Sequence, residues 1–98
     1  MMDVIRSGVF DKWLSGLRDR QAMVRIAARL DRLASGNFGD SLAFGGGISE
    51  LRINYGPGYR VYCLRRGEYR VVLLCGGDKS SQVRDIARAK ALAEDWKE

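Results

Sequence analysis

The hydrophobic period of this chain changes from helical to strand spacing near Gly36-Asn37, and that change constrains its fold more than any other feature. Before it, apolar residues recur every three or four positions; after it they alternate, closing into a continuous apolar run by residues 71–75. Val9, Phe10, Trp13, Leu14 and Leu17 predict an amphipathic helix over residues 7–18, preceded by a short strand over 3–6. Met23, Ile26, Ala27, Leu30, Leu33 and Ala34 fill one stripe of a second helix, with Asp19 as its N-cap and Gly36-Asn37 as its stop. Residues 7–36 thus read as a helical hairpin. Arg18, Arg20, Arg25, Arg29 and Arg32 lie largely off the apolar stripe and alternate with Asp19 and Asp31, the pattern of a solvated face or of one offered to a partner.

Past the change, residues 41–44 form a candidate short strand. Ile48 to Tyr55 alternates, with Leu51, Ile53 and Tyr55 on one face and Glu50, Arg52 and Asn54 on the other. Gly56-Pro57-Gly58 turns the chain, and Tyr59 to Leu64 returns with Tyr59, Val61 and Cys63 opposite Arg60 and Tyr62. Arg66-Gly67 marks a second hairpin turn, and the apolar run Tyr69–Cys75 reads as a central strand buried on both sides. Gly76 to Ser81 reads as a loop. Asp78 or Ser80 caps a last helix reaching about Trp96, with Val83, Ile86, Ala89, Ala93 and Trp96 as its inner face. The order β–α–α–β–β–β–α predicts an α+β domain with a mostly antiparallel sheet. At 98 residues the chain is a single domain, 1–98.

Composition narrows the chemistry. No run approaches about 18 consecutive apolar residues, so no membrane span is expected, and Met1 to Arg6 lacks a signal-peptide core, which predicts a cytoplasmic protein. Histidine is absent, and the two cysteines, Cys63 and Cys75, sit inside apolar runs as buried thiols. The usual zinc sites and any Ser-His or Cys-His pair are therefore excluded, so no metal or cofactor is expected and chemistry falls to Arg, Lys, Tyr, Asp, Glu or backbone groups. The chain carries 17 Lys+Arg against 12 Asp+Glu, a net charge of +5. All of that excess lies within residues 52–84, where Arg52, Arg60, Arg65, Arg66, Arg70, Lys79 and Arg84 face only Glu68 and Asp78. Arginine suits bidentate contact with phosphate, so the block points to an anionic partner, nucleic acid first. The bland alternative is a basic surface kept for solubility.

If Leu51 faces Val61 and Ile53 faces Tyr59, Arg52 stands directly opposite Arg60, and Tyr62 shares their face. Two adjacent guanidinium groups need an anion or a carboxylate between them. Glu50, two residues away, can serve, which would make the group an Arg–Glu surface pair. Against that stand Lys79 and Arg84, entering from the segment after the last strand, and the Gly76-Gly77 backbone N–H groups near a helix N-terminus. Arg65, Arg70, Arg84, Gly76 and Gly77 are the candidate RNA contacts; Arg52, Arg60, Lys79, Tyr62 and Glu50 are the candidate catalytic residues. For RNA, the simplest metal-free cleavage uses the ribose 2′-OH against the adjacent phosphate. Its base must be Lys, Tyr, Glu or Asp, and arginine supplies charge and orientation. Such a site is slow alone and depends on a larger partner to present the RNA.

The motifs Phe10-Asp11-Lys12-Trp13-Leu14, Arg32 to Asp40, Gly46 to Ile53, Gly56 to Tyr62 and Leu74 to Gln82 span nearly the whole chain. In that order they resemble the RelE/ParE superfamily of toxin–antitoxin toxins, in particular its HigB-like addiction module killer group. The resemblance implies a helical hairpin packed on a small antiparallel sheet with a C-terminal helix. It also implies toxicity neutralised by a cognate antitoxin, often a small helix-turn-helix protein, and cleavage of mRNA on the ribosome. By position it assigns Arg52 and Arg60 to the basic sheet positions and Lys79 to the basic residue after the last strand. Glu50 stands where related toxins can carry another basic residue, and the last helix has no tyrosine. Lys79 is thus the first candidate for the general base and Glu50 the second. The fold equally suits a ParE-like gyrase poison that cuts no RNA, and the charge alone suits a non-catalytic RNA-binding module.

Overall fold

The computed structural model describes residues 1–97. In chain order the elements are β1 (Asp3–Arg6), α1 (Gly8–Ser15), α2 (Arg20–Ala34), β2 (Ser41–Gly45), β3 (Ile48–Ile53), β4 (Tyr59–Arg66), β5 (Arg70–Gly77), a 3₁₀ turn (Lys79–Ser81) and α3 (Gln82–Asp95). The five strands form one sheet in the order β1-β5-β4-β3-β2, antiparallel throughout except for β1, which pairs parallel to β5. The α+β class and the mostly antiparallel sheet expected from the sequence are present.

Alternation along the strands builds two cores. Leu51, Ile53, Val61, Cys63, Val71 and Leu73 pack with Phe10, Ile26 and Leu33 on the face covered by α1 and α2. Ile48, Tyr62, Leu64, Val72 and Leu74 pack with Ala89 and Ala93 of α3 on the other. β4 as well as β5 is therefore buried on both sides, which is why it reads Val-Tyr-Cys-Leu without a polar break. Burial pushes the Cys75 thiol up to about 11 and the Cys63 thiol up to about 12. The helices of segment 7–36 find their main packing partners in strands: α1 lies on β5, and α2 on β1 and β3.

The caps are specific. Ser7 Oγ accepts from Phe10 N at 3.0 Å and donates to Leu74 O at 2.8 Å, so one buried hydroxyl starts α1 and pins it to β5. Asp19 caps α2 as expected, accepting from Gln21 N and Ala22 N. Tyr55 OH also donates to it, and this bond leads the contacts that hold its carboxyl below the ordinary aspartate range.

Three expectations need correction. Arg29 is not on the solvated face: it is 7% exposed, on the same stripe as Ala22, Ile26 and Leu33. Its guanidinium donates to the carbonyls of Arg52, Phe38 and Asp40, tying α2 to the segment between α2 and β2 and to β3. The α3 face is also set differently. Val83 is 86% exposed, whereas Asp85, Ala89 and Ala93 are buried. Asp85 turns inward because Ser81 Oγ donates to its carboxylate and Gly77 has no side chain to occupy that space.

Gly76-Gly77, lastly, is not a loop but the end of β5, in register with Val61 and Arg60. A Cβ on Gly76 would lie 2.3 Å from the Trp13 ring, itself held in tilted contact with Phe10 and edge-on contact with Tyr59. Glycine there is a close approach between strand and α1. Gly76→Ala is expected to cost about 1–3 kcal/mol by overpacking, read as a lower urea midpoint at unchanged slope.

Candidate functional site

The β3–β4 register sets Arg52 opposite Arg60 and Glu50 opposite Tyr62, all four on the face that carries α3. On the far side of Arg60 its partner is Gly77, which adds no side chain to the crowd. The 3₁₀ turn after β5 then brings in Lys79. Its backbone N–H donates to Pro57 O at 3.4 Å. Space beside Gly58 is bounded by Lys79 Cβ at 3.5 Å and Arg60 Nη1 at 3.6 Å from where a Cβ would stand. Arg52, Arg60 and Lys79 thus gather at one end of the sheet, around the Gly56-Pro57-Gly58 turn.

Glu50 is the centre of this cluster. Its side chain is fully buried, and its carboxylate accepts from Arg52 Nε at 3.0 Å, Tyr62 OH at 2.9 Å and Gln82 Nε2 at 3.0 and 3.2 Å; Arg60 Nε lies 3.8 Å away. Burial alone would raise its pKa. The hydrogen bonds from Gln82, Arg52 and Tyr62 and the Arg52 charge outweigh burial, so the group is held below the ordinary glutamate range. The same enclosure pushes the Tyr62 phenol far above its ordinary value, through desolvation first and then its bond to Glu50. A carboxylate so depressed is a poor base, and neither Glu50 nor Tyr62 presents surface to a ligand. Of the five candidate catalytic residues, these two orient the others; Arg52, Arg60 and Lys79 can touch an anion.

Arg60 carries the strongest local signal. Its side chain is 11% exposed, and Nη1 donates to Gly58 O and Tyr59 O, which fixes the guanidinium in the turn. Its buried Nε has no hydrogen-bond acceptor. The anion it faces is the Glu50 carboxylate, an ion pair too long for a hydrogen bond, so Nε anchors Arg60 from behind and leaves the outer nitrogens for a ligand.

The other candidates divide. Arg84, exposed in the first turn of α3, borders a shallow depression with Lys79 and belongs to this end of the molecule. Arg65 stands five residues further along β4, about 17 Å away at strand spacing, with its guanidinium over the Phe38 ring on the α2 side. Arg70 begins β5 opposite Arg66, with Asp3 at 3.8 Å, at the far end of the sheet. Neither joins the cluster. Gly76 and Gly77, as ladder residues of β5, do not form the expected cradle of N–H groups.

Sequence reasoning missed Gln82, whose amide spans from α3 to the β3 carboxylate. The one signal for it is a polar residue opening a helix whose inner stripe continues through Asp85 and Ala89. Among the described residues no three His, Cys, Asp or Glu side chains gather into a metal-binding group, and no helix is long and apolar enough to cross a membrane.

No family model matches the chain. It is 52% identical over 86 residues to an uncharacterized protein of Haemophilus influenzae, an alignment covering 88% of this chain and 87% of that protein. The chain belongs to that protein's family. The aligned length is most of both chains, so the relative is of similar extent and the kinship applies to the domain as a whole rather than to one motif.

Proposed function

We propose that this protein is a cytoplasmic toxin of a type II toxin–antitoxin module, of the RelE/ParE superfamily and its HigB-like group, and that it cleaves mRNA on the ribosome. The observation that carries the reading is the convergence of Arg52, Arg60 and Lys79 at one end of the sheet. In the proposed reaction the ribose 2′-oxygen attacks the adjacent phosphorus as Lys79, the general base, takes its proton, and the bond from phosphorus to the 5′-oxygen breaks as that oxygen takes up a proton from water, leaving a 2′,3′-cyclic phosphate. Arg52 and Arg60 stabilise the extra negative charge on the phosphorane. Glu50, ionised and fixed by Gln82 and Tyr62, holds Arg52 in place. The ribosome presents the RNA. A cognate antitoxin, a small helix-turn-helix protein with an acidic segment, neutralises the toxin by covering the basic end.

The test is brief induction without antitoxin, followed by primer-extension mapping of mRNA ends. New ends within translated codons, together with growth arrest, are the expected result. Intact mRNA accompanied by DNA damage would replace this reading with that of a ParE-like gyrase poison. Unimpaired growth would remove both.

A further inference from the structure

A groove of about 380 Å³ opens between α2 and the C-terminal end of β3. Three guanidinium groups, Arg25, Arg29 and Arg32, line it against the single carboxylate of Asp40, and Arg52 closes it with the backbone carbonyl that accepts from Arg29. Arg29 forms the buried floor, and its Nη1 and Nη2 make three hydrogen bonds to backbone carbonyls. Burial first, then the neighbouring Arg32 charge, depresses its pKa, with Asp40 opposing; like charges here are incompletely balanced. Arg25 is held over the Tyr55 ring at 4.7 Å. Arg25 and Arg32 are both exposed and lie seven residues apart on one side of α2, about 10 Å along its axis. That is a ladder of cations, not a single contact. Asn54, exposed on the same wall, adds an amide that can meet a base or a ribose.

The groove lies on the α2 face and the cluster on the α3 face of the same end of the sheet, with Arg52 between them: its carbonyl accepts from Arg29 in the groove and its Nε donates to Glu50 on the other side. A chain of phosphates leaving Arg60 and Lys79 and rounding that end of the sheet meets the groove arginines next. We propose that this groove binds a second stretch of the single-stranded RNA, one or more phosphates away from the scissile one. The inference rests on the RNA reading of the sheet-end cluster. A polynucleotide fits better than an acidic peptide because its charges repeat along one backbone, matching the spaced guanidinium groups, and because its bases and riboses give the Asn54 amide a partner.

The experiment uses the full chain and two RNAs, of 12 and 3 nucleotides, titrated over a range of salt concentrations. Arg25→Gln/Arg32→Gln is compared with the parent and with Arg60→Ala, each checked for folding by circular dichroism. The double variant is expected to bind the 12-mer roughly tenfold or more weakly at 50 mM salt, with its log K–log salt slope shallower by about 1 to 1.5. It should bind the 3-mer like the parent. Arg60→Ala should weaken both. If the double variant keeps parental affinity and slope for the 12-mer while Arg60→Ala fails, the groove proposal falls and the cluster reading stands. If the parent binds neither RNA, both fall. If the groove arginines are needed for polyglutamate but not for RNA, the occupant is an acidic protein segment and the proposal is wrong.

Discussion

Replacing Glu50 by alanine is expected to destabilise the protein by roughly 3–5 kcal/mol, the cost of removing one partner from a buried ion pair. The magnitude follows from what is stranded. Arg52 Nε, Tyr62 OH and Gln82 Nε2 all donate to this one carboxylate, and Arg60 faces it at 3.8 Å. A small domain holds only about 5–15 kcal/mol in total, so the loss is a large share. Glu50→Gln keeps the shape but removes the charge and puts an amide N–H where a second acceptor was needed; it should fall between alanine and the parent. The pH dependence separates the charge from the packing. The folded-state pKa of Glu50 lies below the 4.5 of an ordinary glutamate. Its contribution is therefore fully present above that value and is lost as pH falls through the depressed folded value. Urea denaturation between pH 3 and 7 should show a steeper acid limb for the parent than for Glu50→Gln. Asp19 and Asp78 are also depressed and remain in both proteins, so the difference between the two limbs reports Glu50. Equal acid limbs would mean that the carboxylate is not held by its donors.

How much of this was legible in the sequence follows from the range of the forces involved. The Arg52–Arg60 pairing was readable because a strand's period and a tight Gly-Pro-Gly turn leave one register that buries Leu51, Ile53 and Val61 together. The Asp19 cap was readable because it is a local bond. The contacts that sequence reasoning missed are those between residues far apart in the chain. Gln82 reaches Glu50 across 32 positions, and Arg29 reaches Arg52 across 23. On a helical wheel Arg29 falls on the stripe of Ile26 and Leu33; its charge makes it read as solvated, with no hint that three carbonyls wait beneath it. Gly76-Gly77 reads as a turn by composition, but the glycines answer to Trp13 and Asp85, which arrive from two different helices. Val83 and Asp85 exchange their expected roles for the same reason: an acid enters the interior when a hydroxyl and an empty glycine site receive it. The parallel β1–β5 pair is a further non-local fact, for no local pattern tells a short N-terminal strand which edge it will join.

Arg60→Ala is expected to lower mRNA cleavage by about 10²- to 10³-fold, the usual effect of removing one preorganised donor to a developing oxyanion, with growth arrest lost and the fold retained. Arg60 is the best-fixed cation of the cluster: two backbone carbonyls hold Nη1, and Glu50 faces Nε from behind. Preorganisation of this kind raises the value of a charge in the transition state because nothing must be reordered as the charge develops. Some stability will go with it, since Glu50 loses part of its positive surroundings, so loss of activity alone does not decide the role. Arg60→Lys supplies the control. It restores a charge but not the planar fork, and a purely structural role would be largely recovered by it. If Arg60 stabilises the phosphorane by two directed N–H groups, Arg60→Lys should regain thermal stability while cleavage stays well below that of the parent. Lys79→Ala, at an exposed position, should reduce cleavage with little change in melting temperature. An Arg60→Ala protein that is folded and as toxic as the parent would remove the cluster from the reaction altogether, since Arg60 is its least exposed cation.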